Sequence, residues 1–197
     1  MDPAEEIVSL WLQQKGFFIR HNVPVGYRGK EIDFLAVNIE EGRRVHVEVA
    51  VSVRPLGPLR PWSPAKYGEM PLEERVRLYY LKKFVGAIKE PTGELINRCI
   101  EEAAKRILLT SEYEKWLVLG ELHKKDSEDE LKQEFAKHGV NVIFFKDVLK
   151  EIQIKGIAKY HTGRFLQLLA SQLTPEAKKS LLGEKSQSRQ RQLLRCL

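Results

Sequence analysis

Apolar residues near the start of the chain recur at helical spacing, at Ile7, Leu10 and Trp11, behind the run Asp2-Pro3-Ala4-Glu5. Asp2 can cap, Pro3 suits the first helical position, and Glu5 can close a capping box. Gly16 then ends the predicted helix. From 17 the period changes to two. Strands are predicted over 17–25, 31–38 and 44–53, with a tight connection around Glu40-Glu41-Gly42. Three consecutive strands after a helix suggest an antiparallel meander. The third strand has the clearest pattern: one face holds Val45, Val47, Val49, Val51 and Val53, the other His46, Glu48, Ala50, Ser52 and Arg54. A wholly β-branched face packs on a core. The opposite face has small residues on either side of Glu48, which leave room for something to approach.

Five prolines, Pro55, Pro58, Pro61, Pro64 and Pro71, exclude a helix or central strand over 54–71. Beyond them, Val76, Tyr79, Tyr80, Phe84 and Ile88 mark an amphipathic helix over 72–89. A second helix runs to about 108 with Thr92 as its cap. A buried strand over 116–122, a helix over 127–138 closed by Gly139, and a strand over 140–145 follow. Ser127 and Glu130 are placed as a capping box. Strand, helix, strand is a parallel crossover unit. The fold class expected is therefore α/β, with a central mixed sheet of about five strands. The α/β domain is taken as 1–153, a helical extension as 154–183, and a basic, flexible tail as 184–197.

Composition changes this picture little. Of 197 residues, 43% are hydrophobic and 30% charged, enough apolar material for one core. No apolar stretch reaches the ~20 residues that span a bilayer. The acidic start lacks a leader's basic-then-apolar order, so a cytoplasmic location is expected. The two cysteines, Cys99 and Cys196, lie far apart; Cys99 is read as a buried thiol, and neither suggests a disulfide framework or zinc site. The net charge of +6 favours polyanions without choosing between DNA, RNA and acidic protein. In the proline-rich segment, Arg54, Arg60, Trp62 and Lys66 suit stacking on bases and contact with phosphate. A surface loop pinned by Trp62 accounts for them equally well.

Asp33 and Glu48 are the candidate chemistry. On paired neighbouring strands both carboxylates can leave the same sheet face, where they repel unless a cation lies between them. Such hard oxygen ligands suit Mg²⁺ or Mn²⁺. Glu5 or Glu6 could add a third carboxylate. A structural reading stands beside this one: Asp33 as a strand-end acid, and Glu48 paired with Arg43, Arg44 or Arg54.

The segment GKEIDFLAV, a turn, and then VHVEVAVSV resembles the PD-(D/E)XK nuclease signature, an acid followed on the next strand by (D/E)-x-K. The preceding EEIVSLWLQQKGF is similar to the first helix of archaeal Holliday-junction resolvases. The resemblance covers about the first 55 residues. It implies a restriction-endonuclease-like three-layer core and metal-dependent hydrolysis of DNA, in repair or recombination. Asp33 and Glu48 match the motif acids and Glu5 the helix glutamate. The motif lysine falls on Ala50, which can neither orient water nor offset charge. Lys82, Lys83 and Lys30 are the candidates to replace it. Lys82 is placed with Asp33, Glu48 and Glu5 in the catalytic set, and Lys83 with Arg54, Arg60, Trp62 and Lys66 in the nucleic-acid-binding set. The partner implied is DNA, or else RNA, with no membrane; a homodimer is allowed by resemblance alone. The competing functions are a non-catalytic nucleic-acid-binding module and a protein-interaction subunit.

Overall fold

A computed structural model describes residues 2–26, 29–51, 70–85, 92–120, 122 and 127–152. Helix α1 (Pro3–Gln14) opens with the expected capping box: Asp2 Oδ1 accepts the Ala4 N–H at 2.7 Å, and the Asp2 N–H donates to Glu5 Oε2 at 3.0 Å. Gly16, at φ +80°, turns the chain out of the helix in a conformation that suits glycine. Strands β1 (Phe17–Pro24), β2 (Glu31–Asn38) and β3 (Arg43–Ala50) form the predicted antiparallel meander. The third strand is shorter than its valine pattern suggests; Val51 lies just beyond its end, and 52–53 are outside the described residues.

Helix α2 (Leu72–Tyr80) passes into a π-helical turn, Leu81–Val85. Helix α3 (Thr92–Leu108) starts at Thr92 itself. Strand β4 (Glu114–Leu119) begins two residues before its apolar run, because Arg43 holds Glu114 against the neighbouring strand through two 2.9 Å hydrogen bonds. Helix α4 (Glu128–Ala136) has Ser127 at its N-cap, but the Ser127 side chain makes no capping bond, so the box with Glu130 does not form. Strand β5 (Val140–Phe144) passes directly into α5 (Phe145–Glu151), which takes Phe145 out of the predicted strand. Residues 153–197, with the predicted C-terminal helices and tail, lie outside the described residues. So does the proline-rich segment up to 69.

The chain is α/β with a five-stranded mixed sheet in sequential order β1-β2-β3-β4-β5. The first two ladders are antiparallel, and β3–β4 and β4–β5 are parallel. Helices cover both faces. On one, α1 and α5 pack over Phe34, Val45, Val47, Trp116 and Val118. There Trp11 donates to Glu151 Oε2 at 2.9 Å and Trp116 to Glu114 Oε2 at 2.9 Å, so each indole buries its rings while its N–H is satisfied. On the other face, α2 and α4 enclose Leu117, Leu119, Phe135 and Phe144, while α3 sits over Ile32 and Leu35. Cys99 on α3 is half-buried against that last cluster rather than fully enclosed. Among the described residues no helix is long and apolar enough to cross a membrane.

Candidate functional site

The central strand β3 is buried on both faces. Opposite its valines lie His46, fully buried, and Glu48, 2% exposed. A carboxylate so enclosed needs partners for both oxygens, and it has them. Oε1 lies 3.0 Å from His46 Nε2, two residues back on the same strand face. Oε2 lies 3.2 Å from Lys83 Nζ. An ionised carboxylate only accepts, so His46 carries its hydrogen on Nε2. Its Nδ1 is buried without a hydrogen-bond partner. The edge of the Phe84 ring, centroids 5.0 Å apart, holds the imidazole in place.

Asp33 stands where β2 and β3 separate. The paired ladder ends at Phe34 opposite Val47; one step further, Asp33 Oδ2 accepts the Val49 N–H at 2.7 Å in place of a strand-to-strand backbone bond. Across the Asp33 side of the meander, Asn22 interrupts β1 with φ +44°. The parting strands leave a wedge, and the π-helical turn fills it with Lys83. The Lys83 ammonium meets Glu48 Oε2, the Val49 carbonyl at 3.4 Å and Asp33 Oδ2 at 3.7 Å.

One ammonium shared by two carboxylates leaves a second negative charge that Lys30, not in direct contact with either, offsets only in part. The imbalance shows in the titration of all three groups. Burial pushes Asp33 up, the Glu48 charge pushes it further, and Lys83 offsets this only in part, so its pKa is raised to about 6. Burial also pushes Glu48 up, but the His46 hydrogen bond and the Lys83 charge outweigh it and hold Glu48 below the usual carboxylate value. Lys83, which burial alone would lower, is held well above an ordinary lysine by Glu48 and Asp33. The cation sits nearer Glu48, and Asp33 carries the surplus.

The other expected residues fall into place around this cluster. Lys82 is exposed, and it is its carbonyl, not its ammonium, that takes part. Lys30 Nζ donates to the carbonyls of Lys82 at 2.8 Å and Lys83 at 3.2 Å, so Lys30 braces the turn from below. The lysine that meets the acids is therefore Lys83, one residue after the one placed there from sequence. Glu5 lies close enough for its charge to add to the rise at Asp33 and to oppose in part the lowering of His21 by burial, although its Oε2 is occupied in the α1 cap. Arg43 is taken up by Glu114 and Glu41, and Arg44 by the carbonyls of Leu108 and Gly42. Ala50, on the face of Glu48, packs into the cluster containing Val76 and Phe84. Arg54, Arg60, Trp62 and Lys66 lie outside the described residues.

Among the described residues, no group of three or more His, Cys, Asp or Glu side chains forms a ready metal cage. The oxygens grouped here are of another kind: two carboxylates and one backbone carbonyl, already gathered around a positive charge. Comparison with protein-family models, with curated proteins and with solved structures finds no match.

Proposed function

We propose that this chain is a metal-dependent nuclease of the PD-(D/E)XK type that hydrolyses DNA phosphodiester bonds. The observation that carries the reading is the Lys83 ammonium, brought from a helix to Asp33 and Glu48 on a chain whose motif position holds Ala50. A lysine in that position supplies, by another route, the positive charge that the sequence motif lacks. The +6 surplus of the whole chain favours a polyanionic substrate.

The donor set fits Mg²⁺ or Mn²⁺. Asp33 Oδ2, Glu48 Oε2 and the Val49 carbonyl are hard oxygens that already surround one cation, the ammonium, and they carry a negative charge beyond what it neutralises. When bound, such an ion polarises a phosphoryl oxygen and eases deprotonation of a water. His46 fixes the rotation of Glu48 so that Oε2 faces the wedge. Asp33, at about 6, is ionised at neutral pH and available as a ligand. Lys83 stays protonated, so it acts through its charge, opposing the negative charge that builds on the phosphoryl oxygens, and not as a base. The buried aromatic and apolar wall of Phe84 and its neighbours limits water on this side and strengthens each of these interactions.

The test is cleavage of duplex, single-stranded, flap and four-way-junction DNA in Mn²⁺ or Mg²⁺ by the wild type and by Asp33→Asn, Glu48→Gln, Lys83→Met and Lys82→Met. Wild type and Lys82→Met are expected to cut, and the other three to lose at least about a hundredfold in rate, the scale of one electrostatic contact in such a site. Salt-sensitive binding to DNA with no cleavage under any of these conditions would make the chain a binding module instead.

A further inference from the structure

Lys83 touches the same three oxygens that the metal reading requires. Its ammonium lies 3.2 Å from Glu48 Oε2, 3.4 Å from the Val49 carbonyl and 3.7 Å from Asp33 Oδ2. An ammonium at hydrogen-bond distance from two of these oxygens, and in ion-pair contact with the third, lies among them. A divalent ion coordinated by the same atoms, at about 2.0–2.1 Å for Mg²⁺, cannot share that place with it. The lysine side chain is long and turns about several bonds, and it stands on a π-helical turn, a backbone form that often accompanies function. Lys30 fixes the turn through its backbone carbonyls and not through the Lys83 side chain.

Resting on the nuclease reading, we propose that Lys83 is a tethered cation that occupies the metal cage when no ion is bound and must withdraw for one to enter. The ammonium and the divalent ion therefore compete for Asp33, Glu48 and the Val49 carbonyl. Lys83 holds the carboxylates together in the metal-free protein. After withdrawal its charge stands beside the cage, where a substrate phosphate would lie. The apparent metal affinity is reduced by the fraction of molecules in which the ammonium fills the cage. Removing the ammonium therefore strengthens metal binding, as loss of any nearby positive charge does; only an ammonium that leaves the cage also becomes more exposed when the ion binds.

The experiment titrates the full chain with Mn²⁺ in the absence of DNA, reading the free ion by electron paramagnetic resonance, for wild type, Lys83→Met and Asp33→Asn. Lys83→Met is expected to bind Mn²⁺ about tenfold more tightly than wild type, the gain due if the cage is free in about one molecule in ten. Asp33→Asn is expected to bind least. Equal or weaker binding by Lys83→Met, with wild type still binding, overturns the competition and leaves the nuclease reading intact. No binding by wild type or by Lys83→Met at millimolar Mn²⁺ removes both. A second measurement needs no variant: acetylation of the Lys83 amine, followed by mass spectrometry in EDTA and in saturating Mn²⁺. Labelling is expected to rise severalfold with metal; an unchanged rate with Mn²⁺ bound overturns the proposal even if Lys83→Met does not fold.

Discussion

Asp33 is the residue whose chemistry departs furthest from its ordinary behaviour in water, and its pH dependence follows from that. Its folded-state pKa of about 6 lies above the unfolded value near 3.8, because burial and Glu48 disfavour its charge. The folded protein therefore holds the Asp33 proton more tightly than the unfolded chain does. The resulting stabilisation is fully present below pH 3.8 and is lost as the pH rises through about 6. Asp33→Asn removes the charge and keeps an oxygen for the Val49 N–H, so at pH 8 it is expected to be more stable than wild type by about 1–3 kcal/mol. Urea unfolding at pH 8 and pH 5 checks this: the advantage should shrink by about 1–2 kcal/mol at the lower pH, and a constant difference would refute it. The position of Glu48 was legible because its strand keeps a plain period of two; that of Asp33 rested on its place in the order of the motif, since Phe34, Leu35 and Ala36 beside it are apolar on both faces. Of the three lysines that could replace the motif lysine, Lys83 is the one that an α-helical period from Val76 favours. At 100° per residue, Lys83 falls about 20° from Val76 on the helix wheel and Lys82 about 120° away. The face that buries Val76 and Phe84 is the one that presents Lys83 to the sheet. The burial of His46 could not be read in the same way, since its cover comes from Phe84 and Tyr113, distant in sequence.

Elements place these side chains through a few specific ties. The α1 cap, the meander and the crossover were readable because their signals are local: Asp2 with Glu5, the valine alternation, and Gly16 and Gly139 at helix ends. The π-helical turn had no such signal. Its form depends on where Phe84 packs and on Lys30, which approaches from the connection ahead of β2 and ties that connection to the carbonyls at the end of α2. Burial holds Lys30 below the ordinary lysine pKa, despite the pull of Glu48. Lys30→Met removes two charge-assisted hydrogen bonds and is expected to cost about 1–2 kcal/mol. Hydrogen exchange should show the loss as faster exchange over Leu81–Val85, with α1 unaffected. If protection of that turn is unchanged, Lys30 does not brace it.

At the scale of the molecule, the sheet changes from antiparallel to parallel pairing at β3, and that same strand carries the ionic cluster in its buried middle. The element order and the mixed sheet were readable from one sequence because sequential strands lie side by side. The wedge between β2 and β3 was not, because it depends on how far a ladder extends before its strands part. Burying His46 and Glu48 in the sheet, with Asp33 and Lys83 half-buried beside them, is a poor way to stabilise it. Charges taken out of water are rarely repaid in full, while removing one member of a paired set leaves the others stranded at about 3–5 kcal/mol. A cluster kept for chemistry and a cluster kept as a brace therefore differ in one measurable respect. Glu48→Met alone strands His46 Nε2–H and most of the Lys83 charge, and is expected to destabilise by about 3–5 kcal/mol. The combined variant His46→Leu, Asp33→Asn, Glu48→Met and Lys83→Met leaves only Lys30, which keeps its bonds to the Lys82 and Lys83 carbonyls, and is expected to equal wild type or exceed it by up to about 4 kcal/mol. Thermal and urea unfolding of the single and combined variants separate the two cases. A combined variant that loses about the sum of the single losses would mean that the ions hold the sheet together; recovery would mean that the fold tolerates them for what they do at the wedge.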